Sequence, residues 1–210
     1  MNKPIKTLLL SIAAGFMIGV GGTVFLAQKN AVVGAVAFTV GLFTIVEFGL
    51  LLFTGKACYL LQNPKDVNRA LPLIWVGNLI GAFLMAQALR LTRLWPTLHE
   101  RAAEIVMTKA GDALLSLFVL GALCNLLIYI AVEGYNHSRY ETGRYLALFF
   151  GVVCFILAGF EHSVADMYYI SVADAWSADM LVRLLVITLG NVVGGAMLPT
   201  LRQAAEKAGE

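Results

Sequence analysis

The sequence predicts an all-α, polytopic membrane protein: six transmembrane helices in two inverted three-helix halves, with the second and fifth helices broken mid-membrane. Three observations lead there. Of 210 residues, 60% are hydrophobic and only 13% charged, against roughly 25% charged in an ordinary soluble domain. The apolar residues gather into stretches long enough to cross a bilayer. A glycine–asparagine motif recurs half a chain apart, at Gly77-Asn78-Leu79-Ile80-Gly81 and Gly190-Asn191-Val192-Val193-Gly194.

A crossing helix needs about 20 apolar residues. Residues 7–27, 70–89, 111–132, 145–170 and 180–199 each supply one crossing. Lys3 and Lys6 precede the first, like the basic start of a signal peptide. The run to Ala27 has the length of a full span with no clear cleavage site after it, so it reads as the first helix. Residues 31–62 are too long for one simple helix and too short for two with a loop, and they carry Glu47 and Lys56. Residues 145–170 are interrupted by Gly159, Glu161, His162 and Asp166. The breaks therefore fall at Leu52-Phe53-Thr54-Gly55-Lys56 and from Gly159 to Asp166. The segment 90–110 is the longest connection, and Trp95-Pro96 marks a turn in it, with Trp95 suited to the interface.

Orientation follows from basic residues in the short connections. One side holds Lys3, Lys6, Lys65, Arg69, Arg139, Arg144, Arg202 and Lys207; the other holds Lys29, Arg90, Arg93, Arg101 and Lys109. The excess places both termini in the cytoplasm of a cell whose inner membrane carries the protein, and segment 90–110 outside. Three spans per half is an odd number, so the second half enters from the opposite face. Residues 1–210 form one transmembrane domain, its repeats covering approximately 1–100 and 101–210. The GxxxG spacings, including Gly15 and Gly19, let helices approach closely and set architecture.

Irregular backbone at membrane depth must be buried in protein or line a wet cavity, so the two breaks mark the functional axis. His162 is the one histidine inside a predicted span, and an ionisable group there is a functional candidate by default. Imidazole exchanges protons near neutral pH, which suits weak acids. His99 and His137 fall in loops. Glu161 is expected to bond the backbone groups freed by the break. Lys109, where span four begins, is placed at the outer mouth as an electrostatic lure for anions, with Lys6 in a similar position inside. Glu133 ends span four at a solvated terminus.

Other classes fit less well. A net charge of +2 with no basic run gives no footprint for nucleic acid. Cys58, Cys124 and Cys154 sit singly in apolar stretches and read as packing residues, not as a metal site or disulfide framework. No HExxH, no second intramembrane histidine for haem and no nucleophile–base pair point to an enzyme, a cofactor or a metal. Paired Asn-Pro-Ala motifs, as in water channels, are absent; ammonium or gas channels would favour two facing histidines.

The motifs together resemble the formate/nitrite transporter family. The likeness runs from Lys3 to Gly195. It rests on Gly159-Phe160-Glu161-His162-Ser163-Val164-Ala165-Asp166-Met167-Tyr168, on Leu52-Phe53-Thr54-Gly55, on Cys124-Asn125-Leu126 and on Gly190-Asn191-Val192-Val193-Gly194-Gly195. Phe38-Thr39-Val40-Gly41-Leu42 and Lys3-Pro4-Ile5-Lys6 align in the same order. The resemblance implies an aquaporin-like protomer in a homopentamer, with a pore through each protomer for small monovalent anions such as formate, nitrite, hydrosulfide or short carboxylates. It implies that Thr54 belongs to a loop facing the central His162, and that Leu42 and Phe155, with Phe38 nearby, form apolar constrictions above and below. It implies that Lys109 is the vestibule lysine and that Asn125 and Asn191 are polar partners near the site. Three positions depart from the family pattern: Leu51 replaces an acid, and Lys56 and Asp166 each replace an asparagine.

Overall fold

The computed structural model describes residues 3–209 and is all-helical there. In chain order the helices are α1 (Lys3–Ala27), α2 (Ala31–Glu47), α3 (Phe53–Ala57), α4 (Lys65–Arg90), α5 (Trp95–Gly111), α6 (Leu114–His137), α7 (Glu141–Leu157), α8 (Ser163–Val172) and α9 (Ala178–Ala208). Four of them, α1, α4, α6 and α9, are long and apolar enough to cross a membrane. Large side chains such as Leu115, Leu189 and Val193 point outward from them. A helix apolar on its outer face as well as its inner one is made for lipid or for a neighbouring copy rather than for water.

The long helices pair as α1 with α4 and α6 with α9, and the glycine motifs sit at both contacts. A Cβ on Gly81 would run into the Ile12 carbonyl, and one on Gly194 into the Ala122 carbonyl. Only hydrogen fits at either place, so the backbones approach as the GxxxG spacing demands. α2 packs on α1, α7 on α6, and α2 against α7.

Between Glu47 and Phe53, and between Leu157 and Ser163, the chain leaves the helix. Both α2 and α7 stop by the same device. Gly49 and Gly159 take φ of 63° and 68°, a left-handed conformation that costs glycine nothing. The next N–H reaches back five residues, from Leu50 to the Ile45 carbonyl at 2.9 Å and from Phe160 to the Phe155 carbonyl at 3.0 Å, closing a Schellman-type cap. Each short helix then crosses to the other half: α3 packs on α6 and α9, and α8 on α1 and α4.

Two boundaries differ from the sequence reading. The non-helical segments are 48–52 and 158–162, so Thr54, Lys56 and Asp166 stand on short helices rather than in loops. Segment 90–110 is not a plain connection. Trp95-Pro96 opens α5 instead of marking a turn, because proline lacks only an N–H that the first helical turn leaves unpaired. α5 packs against α8, and His99 on it binds the Val172 carbonyl through Nδ1 at 2.7 Å instead of facing solvent.

Candidate functional site

The two non-helical segments are each held by one asparagine from the repeated motif. Asn78 Oδ1 accepts the Phe53 N–H at 2.8 Å, and its Nδ2 donates to the Leu51 and Ser11 carbonyls at 2.9 and 2.8 Å. Asn191 does the same in the second half: Oδ1 accepts from Ser163 N–H at 2.9 Å, and Nδ2 donates to the Glu161 and Gly121 carbonyls, both at 2.8 Å. Backbone groups stranded in an apolar interior cost about 1–3 kcal/mol each; each carboxamide satisfies two of them, one N–H and one carbonyl, and its third bond goes to a carbonyl within a neighbouring helix. Sequence reasoning placed Asn191 near the site but gave Asn78 only a packing context. The signal was the motif itself, which carries the asparagine in both copies.

His162 caps α8. Its Nδ1 accepts the Ala165 N–H at 3.1 Å, so the neutral ring carries its proton on Nε2. Nε2 lies 3.0 Å from Thr54 Oγ1 on α3. With Nε2–H donating to that oxygen, the Thr54 hydroxyl proton remains available to a third group. Phe155 stacks on the imidazole, with ring centres 5.6 Å apart, and Phe38 meets Phe155 edge-on at 6.1 Å. Asn125 on α6 ties α3 to α9, donating to the Asn191 carbonyl at 2.7 Å and the Thr54 carbonyl at 3.2 Å. The side chains of His162, Thr54, Phe155, Phe38 and Asn125 are all buried.

A cavity lies at each interruption, and the second of the two opens against His162, Phe155 and Phe38. The first, of about 230 Å³, is lined by Leu42, Leu52, Lys56 and Asn136 among others. The second, of about 160 Å³, is lined by Phe38, Phe155, His162, Lys109 and Asp166 among others. Their walls correspond at a fixed distance in sequence: Gly49 and Gly159, Leu52 and His162, Lys56 and Asp166, Tyr59 and Tyr169 are each 110 positions apart. The cavity is built twice in matching register, with the glycine and tyrosine kept and the residues at 52/162 and 56/166 changed.

Lys109 and Glu161 depart from their expected settings. Lys109 is a buried side chain of α5, not a free lure at the start of a span. Its ammonium is paired with the Glu161 carboxylate and lies 3.0 Å from Asp166 Oδ1. Glu161 therefore does not serve the freed backbone, which Asn191 already satisfies; its carboxylate holds the lysine. Lys6 is exposed near the start of α1 and lines neither cavity. Glu133 accepts from Tyr59 Oη at 2.7 Å and from Arg202 at 3.0 Å, so it is tied down rather than solvated. His137 ends α6, exposed, 3.3 Å from Glu133. Cys58 and Cys124 are buried, and Cys154 is exposed on α7.

These features define an integral membrane protein with a buried polar pair, Thr54 and His162, packed against Phe155. The chain belongs to the formate/nitrite transporter family, whose profile matches residues 1–204. It is 30% identical to a probable formate transporter of Methanothermobacter thermautotrophicus, over 91% of this chain and 85% of that one. It is 28% identical to the nitrite transporter NirC of Salmonella typhimurium, over 93% and 81%. A solved pentameric formate channel with formate bound superposes with a TM-score of 0.81 at 24% identity, covering 98% of both chains.

Proposed function

We propose that this protein conducts small monovalent anions of weak acids, formate or nitrite foremost, through a pore in each protomer whose waist is the Thr54–His162 pair. The observation that carries this reading is the pair itself: the only contact where a side chain of one interruption hydrogen-bonds a side chain of the other among the described residues, with a cavity at each of the two interruptions. The names of the relatives support the substrate class. The same family membership supports a channel or transporter rather than an enzyme.

In this reading α2–α3 and α7–α8 are the broken second and fifth spans of two inverted repeats within a single domain over 1–210, folded like an aquaporin. Both termini lie in the cytoplasm, at the inner membrane. Likeness in fold to a pentameric channel supports a homopentamer in the bilayer.

The mechanism follows from magnitudes. A charged group at mid-membrane costs at least about 2.5–3.5 kcal/mol, and an apolar ring removes the water that would relieve it. A neutral acid carries far less penalty. Leu42 on one side and Phe38 with Phe155 on the other act as the apolar constrictions. Between them the anion takes a hydrogen bond from the Thr54 hydroxyl, whose oxygen is held by His162 Nε2–H. Because Nδ1 is held by Ala165, protonating it would break that bond; the ring acts as a donor through Nε2–H. The anion gains its proton from a hydronium ion arriving through the cavity, leaving water behind, and crosses as the acid. Protonating formate or nitrite at pH 7 is uphill by about 4 kcal/mol, at 1.36 kcal/mol per pKa unit. The dry waist and its donors must supply most of that. Asn125 and Asn191 position the waist, while Lys109 and Glu161 shape the second cavity.

Flux into proteoliposomes is measured with formate, nitrite, hydrosulfide, lactate and acetate at two pH values, with a proton indicator inside. One proton moving per formate or nitrite is expected. Anion flux without proton movement leaves the channel but removes the neutral-acid step. Absence of flux for every anion overturns the function.

A further inference from the structure

We propose that the cavity beside Lys56 is an anion-binding subsite, distinct from the Thr54–His162 waist, that takes one small monovalent carboxylate or oxyanion. This rests on the anion-channel reading and adds to it where the anion resides before it crosses.

The argument comes from the duplicated cavity. Positions 56 and 166 are equivalent, yet one carries a cation and the other an acid. In the second cavity the ammonium of Lys109 is held by two carboxylates, Glu161 and Asp166, all three buried. With all three ionised that cluster carries one net negative charge, which repels an incoming anion. In the first cavity Lys56 is the one charged residue of the wall, and it has no ion pair among the described residues. The acids at the ends of the helices that line this cavity, Glu47 on α2 and Glu133 on α6, are already engaged. Glu47 accepts from Tyr135 Oη at 2.5 Å. Glu133 is held by Tyr59, Arg202 and His137.

Size and donors agree. A volume of about 230 Å³ holds an anion of three or four heavy atoms with several waters, each of which occupies about 30 Å³. Lys56 offers a half-buried ammonium, and the Asn136 side chain also lines the wall. Asn63 contributes indirectly, its Nδ2 bonding the Lys56 carbonyl at 3.0 Å and so fixing that end of α3. An ammonium and an anion 4 Å apart attract by about 4 kcal/mol at an effective dielectric near 20, against about 1 in open water. Lys56 stands two residues beyond Thr54 on the same short helix.

The test titrates the purified full-length oligomer with sodium nitrite and sodium formate at constant ionic strength by calorimetry. The wild type is compared with Lys56→Gln and Lys56→Arg, each checked for unchanged oligomer size. Lys56→Gln should weaken binding at least tenfold and Lys56→Arg should restore most of it. Wild-type affinity in Lys56→Gln, or no measurable binding of either anion to the wild type, overturns the subsite. So does equal loss in both variants with the oligomer intact, since that would mean a role in shape and not charge. Flux separates this from the function itself. If wild-type liposomes carry no anion, the channel reading fails while the titration still decides the subsite. If flux persists and Lys56→Gln leaves its half-saturation unchanged from both faces, only the subsite falls.

Discussion

The two interruptions share a backbone and differ in their chemistry. Each begins at a left-handed glycine, is braced by an asparagine of the repeated motif, and lines a cavity with residues in matching register. Over that common frame the first places Leu51, Leu52 and Lys56 where the second places Glu161, His162 and Asp166. The second half also has α5, which inserts Lys109 between two acids. The frame is therefore what folding requires of any interrupted helix: every freed N–H and carbonyl must find a partner. Charge is not prescribed by the frame, and here it has been distributed unequally, a free cation on one side and a neutralised one on the other.

The largest effect expected from breaking this comparison is at its one shared point. His162→Phe should abolish flux while oligomer size and helix content stay as in the wild type; retained transport would take the imidazole out of the waist. Next come the two lysines. Lys109→Met strands two buried carboxylates and should cost about 3–5 kcal/mol. Lys56→Met removes an unpaired, half-buried charge and should stay within about 0.5 kcal/mol. Thermal unfolding of the two variants side by side reads the contrast, and similar melting temperatures would contradict the inequality described above. Adding Glu161→Gln and Asp166→Asn to Lys109→Met should return much of the loss, because no charge is then left unpaired.

The asparagines test the sameness of the frame rather than its differences. Asn78→Ala strands the Phe53 N–H and the Leu51 carbonyl, and Asn191→Ala strands the Ser163 N–H and the Glu161 carbonyl, so both should destabilise by about 2 kcal/mol or more. A large gap between them in a denaturation series would mean that one interruption depends on other support. A smaller change is expected from Asp166→Asn, which leaves Lys109 facing one acid instead of two. That variant should lower the half-saturating anion concentration from the side of the second cavity by a few-fold in flux assays, with stability little changed. Smallest of all is Asp66→Asn. It removes an exposed pair with Lys3, 2.7 Å apart; solvent screens such pairs, and the melting temperature should not move.

Much of this was legible in the chain. The apolar stretches marked the long helices because hydropathy reports the medium each residue must face, and that is a local property. The interruptions were visible as polar residues and glycines within those stretches, displaced by a few residues since the caps depend on backbone angles that no composition reveals. Gly49 was not singled out, although its left-handed turn ends α2. α5 was read as a connection because its residues are mixed in polarity; its buried face shows only once α8 lies against it.

By itself the sequence determined the membrane class, the duplicated motif and the presence of His162, Thr54, Lys56, Lys109, Glu161 and Asp166 near predicted breaks. Tertiary structure decided which of them meet. Thr54 reaches His162 across 108 residues, Asn125 ties α3 to α9, and Lys109 is taken by Glu161 and Asp166 instead of waiting at a mouth. The reason is physical. Hydropathy and propensity act residue by residue, but the partner of a buried charge or a freed carbonyl is chosen by proximity after packing, and proximity over such distances belongs to the fold.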